Sequence, residues 1–493
     1  MALDKKTLLL LSLILILGAF LRLYQLSSES FWLDEGATAM ALKENGSLGI
    51  MNNVLEKGQI MHRDYFKHND ELPLYYMILS QWSNLFGISE LSLRSFSAIF
   101  GIGALLMIFF ISKLFFKDSI SLVSTFLASI NLTLIGYSQE ARQYSYLLFL
   151  SLLSLYFLMM AVRKRDTKYF AGLLITNFII IYSHIPWVIF IMLEGIYATW
   201  TVYSDYSKKI TINRKIVAAF LIMFVLYLPM AGRIFISETS NVGSYGKPDI
   251  KQIISFGVQM STWIYPSDST KAKINGRDFN LSLNELILLA SAASVVAITA
   301  VFFIIGAYKL KKYKKGAVLF LLLFLFPLIF AFSVSMIHPR ITVFQLKQII
   351  YIIPAYIIIS ALGIASIKNK TIAVSIIAIL SLAPIYSYYH NPIKQQFREA
   401  AEILPNGADV FITKQSSQEA LMYYYGEKGN IIGVDDISVL KEKLKGKTSF
   451  WFIFTFTKYS DPNGSIKNFM DLSYTASEKT ELFDLEIFHY NSK

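Results

Sequence analysis

The sequence predicts a mostly α-helical, polytopic membrane protein of the multi-pass kind. It has about eleven transmembrane helices and a C-terminal extracytoplasmic α/β domain. Three observations predict this. Only 16% of the 493 residues are charged and 54% are hydrophobic, where a soluble domain averages about 25% charged. Apolar runs of membrane-spanning length recur along residues 1–388, giving a mean hydropathy of +0.48. Residues 389–493 then revert to the alternation of a small soluble domain.

The first run, 7–26, follows Lys5 and Lys6. A signal peptide begins in the same way, but no A-x-A-like cleavage site follows, so the run reads as a retained first span. A span needs about 20 mostly apolar residues. Further spans are expected at 94–115, 118–136, 144–162, 168–184, 187–204, 216–231, 282–307, 316–336, 346–365 and 371–388. Lys and Arg in short loops set the orientation. One set of loops holds nineteen of them: Lys5, Lys6, Lys113, Lys117, Arg163, Lys164, Arg165, Lys168, Lys208, Lys209, Arg214, Lys215, Lys309, Lys311, Lys312, Lys314, Lys315, Lys368 and Lys370. The opposite short loops hold Arg142 and Arg340. The N-terminus is therefore expected in the cytoplasm and the C-terminus outside the cell membrane.

The segment 73–87 is apolar but short. Counting it as a span would invert every later loop, so it reads as an interfacial or re-entrant helix on the outer side. Three sizeable outer regions result: loops 27–93 and 232–281 and the tail 389–493. In the tail, helices are expected at 395–404, 417–425 and 438–444, and strands at 408–413, 430–434 and 450–456. This alternation suggests a parallel sheet with crossover helices. No Gly-rich phosphate fingerprint follows a strand, which argues against a nucleotide site there.

The net charge of +12 would suggest nucleic acid in a soluble protein. Here the basic residues lie between apolar runs, so topology explains them and no nucleic-acid partner is expected. The absence of cysteine excludes disulfides and thiolate metal sites. The six histidines show no H-E-x-x-H spacing.

Polar groups close to the membrane usually serve a purpose. In F-W-L-D-E-G-A, 31–37, Asp34 and Glu35 are adjacent carboxylates flanked by aromatics. The plain alternative is a helix start, with Asp34 as cap and Trp32 as interfacial anchor. In H-N-D-E-L-P-L-Y-Y, 68–76, Asp70 and Glu71 precede Pro73, which also suits the first turn of a helix. In Y-S-Q-E-A-R-Q-Y, 137–144, Arg142 opposes the basic-inside trend and calls for an anionic partner. That partner could be a phosphate, Asp34, or Glu140 as a structural pair. His184, His338, Arg340 and Lys347 fall on the same side; His184 also suits an interfacial residue, and Lys347 a snorkelling one.

Taken in order, D-E at 34–35, P-L-Y-Y at 73–76, F-G-I-S-E-L-S-L-R at 86–94 and Y-S-Q-E-A-R-Q-Y at 137–144 resemble glycosyltransferase family 39. This group includes the protein O-mannosyltransferases and is related to the aminoarabinose transferases. These are GT-C class enzymes that use polyprenyl-phosphate sugars. The resemblance is clearest over 7–200 and continues more weakly through 344–354 and the tail. It implies a catalytic acid/base at Asp34, with Glu35 as its neighbour and Asp70 as a second acid. It implies donor-phosphate contacts from Arg142, Tyr144, Lys347 and Arg94. His68, His184 and Arg340 would orient sugar or acceptor. Two departures stand out. The H-P-P-L or K-P-P-L of the family is Glu71, Leu72, Pro73, Leu74 here, and the Arg-Tyr pair before Pro354 is Lys347 and Gln348.

The chemistry so implied is an inverting, metal-independent transfer without a cofactor. A sugar moves from a dolichyl- or undecaprenyl-phosphate donor to a lipid, glycan or protein acceptor at the outer face, with membrane lipids as the surrounding partners. Asp34 would take the acceptor proton, across from Arg142. A divalent metal on Asp34, Glu35 and Asp70 is the alternative, but the D-x-D spacing of metal-dependent relatives is absent. The rival classes are a transporter and a non-enzymatic scaffold. No internal repeat supports the former, and the separate outer tail is what keeps the latter open. Within enzymes, the alternative is a lipid-linked oligosaccharide transferase. Sugar, acceptor and carrier length are not legible in the pattern.

Overall fold

The apolar runs fold as helices. In the computed structural model, residues 3–57, 72–164, 166–204, 210–236, 247–263, 281–337 and 343–493 are described. The helices in chain order are α1 (Lys5–Leu23), α2 (Leu33–Lys57), α3 (Pro73–Phe86), α4 (Glu90–Lys113), α5 (Asp118–Ser129), α6 (Leu132–Ser138), α7 (Tyr144–Lys164), α8 (Thr167–Ile181), α9 (Val188–Ser204), α10 (Ile210–Ile236) and α11 (Ile250–Ser261). They continue with α12 (Leu283–Leu310), α13 (Lys314–Ile337), α14 (Ile352–Ala365) and α15 (Lys370–His390). The tail follows with α16 (Phe397–Ile403), β1 (Asp409–Thr413), α17 (Gln418–Tyr425), β2 (Asn430–Val434), α18 (Ile437–Lys443), β3 (Ser449–Thr455), α19 (Thr457–Ser460), α20 (Ser465–Ser473), β4 (Tyr474–Leu482) and β5 (Leu485–Ser492).

Among the described residues, seven helices are long and apolar enough to cross a membrane, or eight if the pair α5–α6 counts as one bent span. The pair bends by 61°. Asn131 causes the break: it is extended, and its Oδ1 accepts from Leu134 N–H at 3.0 Å to start α6 afresh. Three expected spans coincide with shorter apolar helices, Thr167–Ile181, Val217–Pro229 and Ile352–Ala365. The run 346–365 starts with a 3₁₀ turn, Leu346–Gln348, and its α-helix begins only at Ile352. Pro354 then sits in the first turn, where its missing N–H costs nothing. Segment 73–87 forms α3, which at 14 residues spans about 21 Å at 1.5 Å per residue.

The chain divides into two compact units. Of the described residues, the first holds 3–24, 72–75 and 95–390, and the second holds 25–57, 76–94 and 391–493. In the first unit, α12 and α14 meet backbone to backbone. A methyl on Gly306 would overlap the Ile359 carbonyl, and one on Gly363 would overlap that of Phe302. Small residues permit such close helix packing where a membrane supplies no hydrophobic drive between helices.

The second unit combines the tail with the segments around α2 and α3. Its sheet has strand order β2-β1-β3-β5-β4. The expected parallel arrangement holds for β1, β2 and β3. The sheet as a whole is mixed, because β4 and β5 add an antiparallel hairpin. Alternate residues serve two cores, as the period of two requires. Val410, Ile412, Trp451, Ile453 and Ile487 pack beneath α16 and α17. Phe411, Phe450, Phe452, Phe454 and Tyr490 pack with Leu440, Ile466 and Met470 on the other face.

Candidate functional site

The two units each carry one part of the expected site. In the second, α2 begins at Leu33 and places Asp34 and Glu35 in its first turn, where carboxylates suit the helix dipole. Asp34 is thus one residue inside the helix, and not at its cap. It is partly exposed, and its carbonyl accepts from Thr38 Oγ1 at 3.0 Å. Glu35 is fully buried. Arg94, from the first turns of α4, grips it with both ends of the guanidinium: Nε to Oε1 at 2.8 Å and Nη2 to Oε2 at 2.7 Å. Lys394 Nζ lies 3.2 Å from Oε2.

The remaining Arg94 donors go to main-chain carbonyls of the preceding loop. Nη1 donates to Leu26 at 3.1 Å and Glu29 at 2.7 Å, and Nη2 donates to Ser30 at 2.9 Å. A guanidinium has five N–H groups, and all five are used. Arg94 thus spends every donor within the protein. It is a clasp for the loop that leads into Asp34. Glu29 completes the cluster, with Oε1 accepting from Ile393 N–H at 2.6 Å and Lys394 N–H at 3.3 Å. Burial pushes its carboxyl up from the usual range, against the pull of Lys394. Tyr424 OH accepts from Phe31 N–H at 2.7 Å and donates to Glu90 Oε1 at 2.6 Å. Burial, and then Glu90, hold this phenol well above its ordinary value.

In the first unit, the loop between α6 and α7 carries Y-S-Q-E-A-R-Q-Y. Gln139 closes the end of α1: its Nε2 donates to the carbonyls of Leu21, Arg22 and Tyr24 at 3.4, 3.1 and 2.9 Å, and its Oε1 accepts from Tyr388 OH at 2.8 Å. These are carbonyls that a helix end leaves unsatisfied. Arg142 is buried, and its carbonyl accepts from Ser97 Oγ at 3.2 Å. Tyr144 is buried two residues on, with Lys347 Nζ 5.8 Å from its ring centre, in reach of a cation–π contact. The 3₁₀ turn carrying Lys347 also carries Gln348, whose Oε1 is 2.6 Å from His184 Nε2. The fold thus gathers Tyr144, Lys347 and His184 around one turn, with Arg142 close in the chain. His68, Asp70 and Arg340, and with them Glu71 and His338, lie outside the described residues. Among the described residues, no three His, Cys, Asp or Glu groups converge as a metal site would need.

Several residues here were not anticipated. Lys394, Glu29 and Tyr424 meet Asp34's surroundings only through long-range packing, and no local pattern announces them. Arg22 and Glu194 did carry a signal, as single charges inside apolar runs.

A family profile described as "Dolichyl-phosphate-mannose-protein mannosyltransferase" matches residues 70–232. No curated protein matches the chain. The structure is similar to that of ArnT from Cupriavidus metallidurans in the apo state, with TM-score 0.55 and 11% identity, covering 98% of this chain and 97% of that one. It is similar to the same protein bound to undecaprenyl phosphate, with TM-score 0.56 and 11% identity, covering 99% and 98%. It is also similar to the archaeal oligosaccharyltransferase AglB from Archaeoglobus fulgidus, solved with an inhibitory peptide and a dolichol-phosphate. There the TM-score is 0.50 and the identity 12%, covering 99% of this chain and 74% of that one. The chain is thus a multi-pass membrane protein with the GT-C glycosyltransferase fold, and over residues 70–232 it carries the sequence pattern of the mannosyltransferase family that the profile describes.

Proposed function

We propose that this protein transfers a sugar from a polyprenyl-phosphate donor to a hydroxyl- or amine-bearing lipid, glycan or protein at the outer membrane face. The observation that carries the reading is the start of α2: a partly exposed carboxylate, Asp34, beside a buried carboxylate whose charge is already neutralised. Similar folds solved with undecaprenyl phosphate and dolichol-phosphate support a lipid-phosphate donor.

The step is a single displacement. The acceptor oxygen or nitrogen forms a bond to the anomeric carbon, and the bond from that carbon to the phosphate oxygen breaks. The polyprenyl phosphate leaves with the electron pair, and the acceptor proton goes to the Asp34 carboxylate. One displacement inverts the anomeric centre. Arg142 and Lys347 would stabilise the charge that grows on the departing phosphate. Tyr144, His184, His68, Asp70 and Arg340 would orient sugar or acceptor. Glu35 is then not itself the base. It is saturated by Arg94 and Lys394 and holds the first turn of α2 in place.

The test is transfer by the full chain in liposomes, using radiolabelled polyprenyl-phosphate mannose and polyprenyl-phosphate aminoarabinose with a membrane extract as acceptor. Asp34→Asn should lower kcat by about 10²–10⁴, the usual worth of a general base, while the folded yield is kept. Undiminished transfer by Asp34→Asn would remove Asp34 from this role.

A further inference from the structure

The loop that delivers Asp34 is held from the far end of the chain. Glu29 accepts the backbone N–H groups of Ile393 and Lys394. Ser30 Oγ donates to the Gln395 carbonyl at 2.7 Å. Arg398 Nη2 donates to the Ser28 carbonyl at 2.6 Å. The ring of Phe31 meets that of Tyr423 edge-on at 5.1 Å, and Phe31 N–H donates to Tyr424 OH. One residue past Glu35, a methyl on Gly36 would overlap the Ala420 backbone, so α17 lies directly against the start of α2. Every partner named here lies within the second unit.

Glu35, Arg94 and Lys394 are buried in this clasp, Glu29 is half-buried beside them, and Glu419 of α17 is buried one residue before Ala420. Glu90 and Arg398 pair beside them at 3.3 Å. Arg94 is saturated by Glu35 and the loop carbonyls. The Lys394 ammonium, 8% exposed, therefore supplies the second cation on Glu35. Its loss would leave the Glu29 and Glu35 carboxylates against one guanidinium, immediately next to Asp34 in the chain. A buried charge left uncompensated moves its surroundings or its proton.

We infer that Lys394 is a positioning residue for Asp34, and that the C-terminal domain acts in catalysis by fixing the first turn of α2. The inference rests on the reading of Asp34 as the base. It gives the soluble tail a function: it is a working part of the transfer site, beyond any separate binding role.

Two measurements on the full chain in liposomes test it. With polyprenyl-phosphate mannose as donor, Lys394→Met should lower kcat about tenfold, the loss expected when a catalytic group is misplaced by a fraction of an ångström. KM for the donor should stay within about twofold, since uniform binding is untouched. Lys394→Arg, which keeps the charge, should recover most of the rate. The second measurement needs no turnover. The chain has no cysteine, so Asp34→Cys introduces a single thiol whose alkylation by iodoacetamide follows its thiolate fraction. Adding Lys394→Met should move the pH midpoint of alkylation upward by about half a unit or more, and Lys394→Arg should not. A kcat per folded molecule unchanged by Lys394→Met would overturn the inference, as would a rise in KM alone or an unmoved midpoint. Full activity in Asp34→Asn would instead overturn the base assignment, and the midpoint would still show whether Lys394 is felt at position 34.

Discussion

Each unit of this protein buries an arginine and a glutamate, and the two units satisfy them differently. In the second, Arg94 and Glu35 neutralise each other through two hydrogen bonds, with Lys394 added. In the first, the charges stand apart. Arg22, near the end of α1, donates to the carbonyls of Gly18, Ala128 and Ser129 at 3.1, 3.3 and 3.2 Å. Glu194, in α9, accepts from Ser154 Oγ and Asn177 Nδ2, each at 2.8 Å. Neither has an oppositely charged partner among the described residues. The difference reflects the scaffold. Long helices end in unsatisfied carbonyls carrying a partial negative charge, and Ala128 and Ser129 are the last two residues of α5. Such an end can host a cation without a carboxylate. The loop before α2 also lends Arg94 three carbonyls, but there the guanidinium shares its donors with the Glu35 carboxylate, so the two charges settle as a pair.

The comparison predicts its largest effect at Glu35. Glu35→Gln leaves Arg94 and Lys394 buried with one carboxylate fewer. Breaking a buried pair by removing one partner costs about 3–5 kcal/mol. Thermal unfolding of the detergent-solubilised protein should show a drop of that order. A change below about 1 kcal/mol, the range of an exposed pair, would mean that the clasp is open to water and not a buried cluster.

The middle effect belongs to Arg22. Arg22→Met keeps the length of the side chain and strips the donors from two carbonyls at the end of α5. A buried acceptor left unsatisfied costs about 1–3 kcal/mol. Arg22→Lys should recover part of it, because a point charge still suits the helix end but cannot fork across Gly18 and α5. If Arg22→Met proved as costly as Glu35→Gln, a carboxylate partner would have to be sought for Arg22.

These residues also show what the sequence can and cannot announce. Apolar runs gave the helices because hydropathy is local, and each of the eleven expected stretches coincides with an apolar helix or helix pair. The break at Asn131 escaped because one amide does not lower the mean of an apolar run. The late start at Ile352 escaped for the same reason. In the tail, the buried strands β1 and β3 were legible as apolar runs. The outer strand β4 has mostly exposed residues, so it lacks the alternation that marks a half-buried strand. Asp34 and Glu35 were legible as a pair, but their different fates were not. Glu35 is distinguished from Asp34 by Arg94, 59 positions away, and Lys394, 359 positions away, and no local motif encodes such partners.

The smallest effect should fall on Glu194, where the two kinds of burial separate most cleanly. Both of its partners are neutral and both donate to it. Glu194→Gln keeps one carbonyl oxygen for Ser154 and replaces the other oxygen with an NH₂ that would face the Asn177 NH₂. Asn177 can answer by turning its amide, because its Oδ1 has no hydrogen-bond partner in the present orientation. After that turn every bond is restored, and no charge elsewhere has lost a partner. The expected change is within about 1 kcal/mol, in keeping with interhelical hydrogen bonds that average about 0.6 kcal/mol in membranes. Glu194→Leu lacks any such repair: it leaves Ser154 and Asn177 facing a hydrocarbon, at about 1–3 kcal/mol. The same unfolding measurement should therefore rank Glu194→Gln near the wild type, Glu194→Leu below it and Glu35→Gln lowest. Equal losses for the two Gln substitutions would mean that Glu194 also serves a buried cation.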